Sequence, residues 1–138
     1  MQEAEFTDRE VLEALYAAKD SLADPGQRYE YQDWTVCGCG HIYIGAAGRR
    51  AANPDRVTEP PAGSLYQTVI TRVATVLGWH EQDPDATAVG FVSDMVGHKG
   101  KMRFAAKRVV QDAIDEIEAA EQAAMLQIAD PAHEAPLA

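Results

Sequence analysis

Cysteine is scarce: Cys37 and Cys39 are the only two in 138 residues. A single intervening residue suits a structural disulfide poorly, and no second half of a CxxC…CxxC zinc framework follows. Folding must therefore rest on an apolar core, and a chain of this length buries ~two-thirds of its unfolded surface. Long apolar runs are also missing, since none approaches the ~18 residues of a membrane span. The opening Met1-Gln2-Glu3-Ala4-Glu5 is acidic, whereas a signal peptide begins basic and then turns apolar. The expectation is a cytoplasmic protein with free thiols and no membrane partner. Basic residues are few: 12 Lys and Arg against 22 Asp and Glu give a formal charge of -10. That balance disfavours a general nucleic-acid coat, because phosphates attract positive surface. GxSxG, HExxH and the Rossmann fingerprint are absent, so the expectation is a protein that is not an enzyme and has no cofactor.

What is present reads as an all-α protein with about four main helices in one compact domain, residues 1–129, and a flexible polar tail, 130–138. Thr7-Asp8-Arg9-Glu10 has the form of a capping box, with Phe6 and Val11 at the positions of a hydrophobic staple. Leu12, Leu15, Tyr16 and Leu22 then recur at helical spacing, and Asp24-Pro25-Gly26 ends this first helix. Between Val36 and Ala47 small residues dominate and no charge occurs. We read a buried second helix from about Cys37 to Ala52, with a strand over 40–44 as the rival. It is expected at the centre, covered by the first, third and last helices. Residues 53–63, with Pro54, Pro60 and Pro61, read as a surface loop. Ser64-Leu65-Tyr66-Gln67 is a second capping box opening a third helix that Gly78 closes. Residues 86–97 are apolar and support one or two helical turns. A long last helix runs from about Lys101 to Ile128, with Met102, Ala106, Val109, Ala113, Ile117, Ala120 and Ala124 at near-heptad spacing. Its length suggests that its end projects or pairs with a second chain.

The order of these pieces resembles a family of small, uncharacterised helical proteins of actinobacteria and their phages. The resemblance rests on Cys39 with Gly45-Ala46-Ala47, on residues 66–78, and on Ser93-Asp94 followed by His98-Lys99-Gly100. The family's Trp and Asn are Val92 and Ser93 in this chain. The resemblance covers roughly residues 9–120; it implies an all-α fold and an actinobacterial or phage origin, and no activity.

Three patterns could carry function. Cys37, Cys39 and His41 stand at every second residue. On a strand they would share a face and could bind one metal ion, completed by His80 or His98; on a helix they would spread over ~200° and could not converge. Two small buried cysteines in a crowded helix are the plainer explanation. Lys99, Gly100, Lys101, Arg103 and Lys107 open the last helix without any acid. Glycine there frees backbone N–H groups and the cations add charge, as an anion, nucleotide or nucleic-acid site requires. The alternative is a solvated basic face paired with the protein's own acids. From Val109 to Ala138 there is no Lys or Arg, and Asp112, Asp115, Glu116, Glu118 and Glu121 follow one another. This acidic half could dock a basic partner or imitate a nucleic-acid backbone, although alanine dilutes it. Asp94 and His98, four apart, form a possible acid–base pair, and Trp34 and Trp79 read as packing residues. The leading expectation is a small acidic accessory or regulatory protein that acts through a protein partner or by self-association of its last helix.

Overall fold

A computed structural model describes residues 6–30, 33–34, 36–48, 53–82, 86–98 and 103–129. The described residues form six helices and no strand: α1 (Asp8–Ala23), α2 (Gly38–Ala47), α3 (Pro54–Thr58), α4 (Leu65–Val76), α5 (Ala88–His98) and α6 (Arg103–Ala129). No helix among them is long and apolar enough to cross a membrane.

Local chemistry sets most boundaries. The Thr7 hydroxyl accepts from the Glu10 N–H at 3.1 Å and the Glu10 carboxylate accepts from the Thr7 N–H at 2.8 Å, so α1 opens on the full capping box. At the start of α4, Ser64 accepts from the Gln67 N–H, but Gln67 reaches past it to the Gly63 N–H, 2.9 Å away. Helix α4 closes in a Schellman arrangement, with Gly78 at φ 111, the Gly78 N–H on the Thr75 carbonyl and the Trp79 N–H on the Ala74 carbonyl.

Three expectations need correction. The second helix stops at Ala47 rather than Ala52, because Gly48 turns out of the helix with φ 93; residues 49–52 lie outside the described ones. The 53–63 segment is not all loop. Asn53 caps the Arg56 N–H at 3.0 Å and Pro54 takes the first helical position, where its missing N–H costs nothing, so α3 forms. The 86–97 segment is a full helix, α5, started by Thr87, whose hydroxyl accepts from the Gly90 N–H at 3.0 Å. The tail, 130–138, lies outside the described residues.

Helix α2 touches each of the other five. Its residues 38–43 are all buried, and Gly45 lets it ride onto α1: a methyl group there would lie 2.4 Å from the Ala14 carbonyl oxygen and 2.7 Å from the Ala18 nitrogen. Around it Val11, Leu12, Leu15, Leu22, Ile42, Val69, Ile70, Val73, Val110, Ile114 and Ile117 make one core. Tyr43 and Tyr66 meet edge to face at 4.8 Å inside it. Trp34 and Trp79 pack against its margin, as expected of structural tryptophans.

Candidate functional site

Because α2 is a helix, Cys37, Cys39 and His41 diverge. Cys37, the N-cap, directs its thiol to the Trp34 carbonyl at 3.7 Å, and Cys39 directs its own to the Val89 carbonyl at 3.9 Å. Burial raises the pKa of both thiols, that of Cys39 strongly. Thiolates are the nucleophilic and metal-binding form, so this environment favours packing over chemistry. His41 is fully buried and faces elsewhere. No group of three His, Cys, Asp or Glu suited to a metal occurs among the described residues. His80 is exposed, and the side chain of His98 lies outside the described residues. The metal arrangement drawn from the strand alternative is thus not assembled.

His41 instead joins a polar relay that sequence reading missed. Its Nε2 lies 2.8 Å from the Arg28 carbonyl oxygen and its Nδ1 lies 2.7 Å from the Ser21 hydroxyl. A carbonyl only accepts, so Nε2 carries a proton, and in the neutral ring Nδ1 accepts from Ser21. The imidazole also stacks on Tyr29, 5.9 Å between centroids. The hydrogen bonds have the form of an activated serine, yet His41 has no exposed surface, and the arrangement ties the end of α1 and the 24–37 connection onto α2. Ser21 stands twenty residues away on another helix, and only the fold reveals the pairing.

Of the candidate anion-binding residues, Lys99, Gly100 and Lys101 lie outside the described residues, and Lys107 is exposed. Arg103 folds inward. Its Nη2 donates to the Gln27 carbonyl and its guanidinium sits 6.0 Å from the centre of the Tyr29 ring. Three buried polar atoms of this corner have no hydrogen-bond partner among the described residues: Arg103 Nε, the Tyr29 hydroxyl and Gln27 Oε1. A buried donor left unpaired costs ~1–3 kcal/mol, so a water or an anion there would be favoured.

Two surface features complete the inventory. A cleft of about 830 Å³ opens between α3, α4 and the start of α5, lined among others by Glu59, Gln67, Arg72, Trp79, Glu81 and Thr87. Arg72 is held across its rim by Asp8 at 2.9 Å. The second is α6. Its inner face, Ala106, Val110, Ala113, Ile114 and Ile117, is buried, while Tyr16 donates to Glu118 and Arg9 pairs with Glu121 at 3.2 Å along one flank. Beyond Glu121 every residue from Gln122 to Leu126 is exposed, so the helix runs past the body that covers its first turns. Ala120 and Ala124 continue the inner stripe with nothing beneath them among the described residues. Among the described residues the large hydrophobics left exposed are Phe104 at 60%, Met125 at 62% and Leu126 at 65%, all on α6.

No protein-family model, curated protein or solved structure matches this chain.

Proposed function

We propose that this chain is a non-enzymatic accessory protein that acts through a protein partner docked on α6. The observation that carries this reading is that, among the described residues, the exposed large hydrophobics all fall on that one helix, at both of its ends. Isolated exposed apolar side chains are ordinary on a folded surface, but Met125 and Leu126 are adjacent, so the C-terminal end of α6 is where an apolar contact would form. The acids that follow, Asp112, Asp115 and Glu116, are exposed as well and give the docking face a charge that a basic partner would match.

A photo-crosslinking residue at position 126, introduced in cells, should give a discrete adduct, and the same residue at exposed Ala17 on α1 should not. Equal yields from both positions would count against docking on α6. A fluorophosphonate probe that labelled Ser21 would overturn the non-enzymatic part of the reading.

The unpaired donors Arg103 Nε and the Tyr29 hydroxyl favour a second reading, a small oxyanion held at the start of α6. The net charge of -10 favours a small ion over a nucleic acid. Phosphate should then raise the melting temperature of the wild type and leave that of Arg103→Gln unchanged.

A further inference from the structure

We propose that the cleft between α3, α4 and the start of α5 binds a linear aliphatic polyamine, an apolar chain that carries two or more ammonium groups. The cleft measures about 830 Å³, within the range of small-molecule sites. Helix α6 contributes no residue to it, so it is a surface separate from the one proposed for docking. Its lining includes the half-buried Pro60, Trp79 and Ala88 and the carboxylates of Glu59 and Glu81. The indole wall is preorganised. Trp79 Nε1 donates to the Ala86 carbonyl at 2.9 Å, and the Trp79 backbone N–H bonds the Ala74 carbonyl at the end of α4.

The charge of the lining selects the class of ligand. Its cation among the described residues, Arg72, is already held by Asp8 at 2.9 Å. Most of the neutral polar groups are engaged as well. The Thr58 hydroxyl donates to the Pro54 carbonyl, Thr87 accepts from the Gly90 N–H, and Gln67 accepts from the Gly63 N–H. Glu59 and Glu81 have neither an ion pair nor a side-chain hydrogen bond among the described residues. Two uncompensated negative charges therefore stand beside apolar walls, and an anion would be repelled by both.

Glu59 caps the end of α3 and Glu81 follows α4, so the two carboxylates come from different elements. A single ammonium group would answer one of them. Ammonium groups joined by methylenes answer both, and the methylenes have Pro60, Ala88 and the indole to pack on. A cation beside the indole gains a further attraction from the ring. A divalent metal ion fits less well. It takes about six oxygen ligands, and no group of three His, Cys, Asp or Glu suited to a metal occurs among the described residues.

Titration of the full chain with spermidine, followed by the NMR signal of the Trp79 indole N–H, tests this. The net charge of -10 attracts any cation, so location must be separated from charge. In about 0.15 M salt, where distant charges are screened, spermidine should shift the Trp79 signal saturably and leave that of Trp34 in place. Glu59→Gln and Glu81→Gln should each raise the Kd by ~3-fold or more, and Asp112→Asn on α6 should not. Both glutamates are exposed and unpaired, so neither variant should change the melting temperature. A Trp79 signal that stays in place, or a Kd indifferent to both glutamates, would overturn the proposal. Equal weakening by Asp112→Asn would do the same, because it would mean diffuse attraction to the acidic surface. So would magnesium or phenethylamine acting as strongly as spermidine, since the first carries charge without a chain and the second a single ammonium group. A lysine-rich peptide that shifts the signal where spermidine does not would give the cleft to a protein segment instead.

Discussion

Gly45 of α2 lies so close to Ala18 of α1 that a methyl group on it would sit 2.7 Å from the Ala18 nitrogen and 3.1 Å from its Cα. The obstacle is backbone, which cannot rotate away. Gly45→Ala should therefore push the two helices apart and cost about 3 kcal/mol, roughly a 10 °C fall in melting temperature. Gly38→Ala is the matched control. Its methyl would meet only side-chain carbons of Val96 and Ala106 at 3.3 and 3.4 Å, and alanine's better helix propensity offsets part of that crowding. It should change stability by less than about 1 kcal/mol in urea melts. Equal losses from both would refute the close crossing at Gly45.

The contact between Ser21 and His41 gives a second prediction. Ser21→Ala leaves a buried imidazole nitrogen without its donor and should cost ~1–3 kcal/mol, while Ser21→Thr keeps the hydroxyl and should recover most of the loss. Nitrogen NMR of His41 should report a proton on Nε2 and none on Nδ1. A proton on Nδ1 would mean that Ser21 accepts rather than donates and would remove the assignment.

How far these features could be read from sequence depends on how local their causes are. The ends of α1 and α4 were legible because Thr7 with Glu10, Ser64 with Gln67, and Gly78 act within one turn. Asn53-Pro54 misled because the pair can stop a helix or start one; here α2 already ends at Gly48, and the Asn53 cap on Arg56 shows that the pair starts α3. The alternating Cys37, Cys39 and His41 could be metal ligands or core residues until the backbone was known, and a helix separates them. The relay of Ser21, His41 and the Arg28 carbonyl had no sequence signal, since it joins a helix end, a loop and a second helix. The segregated charge of α6 was plain in the sequence, whereas the exposure of Phe104, Met125 and Leu126 depends on where the body of the protein ends.

Burial of the two thiols predicts poor reactivity. The pKa of each is raised mainly by desolvation, so little thiolate forms near neutral pH. A thiol reagent such as DTNB at pH 8 should titrate no more than a small fraction of the sulfur in the native protein and both residues in guanidinium. Rapid native labelling of Cys37, the less buried of the two, would show that the 34–37 turn opens readily.

Tyr29 links stability to alkaline pH and separates two explanations of its unpaired hydroxyl. Burial pushes its pKa from 10.0 up to about 12 in the folded chain. A phenol that resists ionisation when folded favours folding only while it stays protonated in both states. That contribution is complete below the unfolded value near ~10 and is lost as pH rises from there through about 12. Urea midpoints of the wild type should fall over that window, and Tyr29→Phe should flatten part of the fall; identical profiles would place the phenol in solvent. At neutral pH the same variant tests the corner it shares with Arg103. If the hydroxyl is simply buried without a partner, replacing it removes an unpaired polar group and Tyr29→Phe should be as stable as the wild type or more so. If an oxyanion binds between Arg103 and Tyr29, the variant should lose stability only when phosphate is present, because the lost interaction is with the ligand. A phosphate-independent loss would fit neither explanation and would instead give the hydroxyl a structural partner.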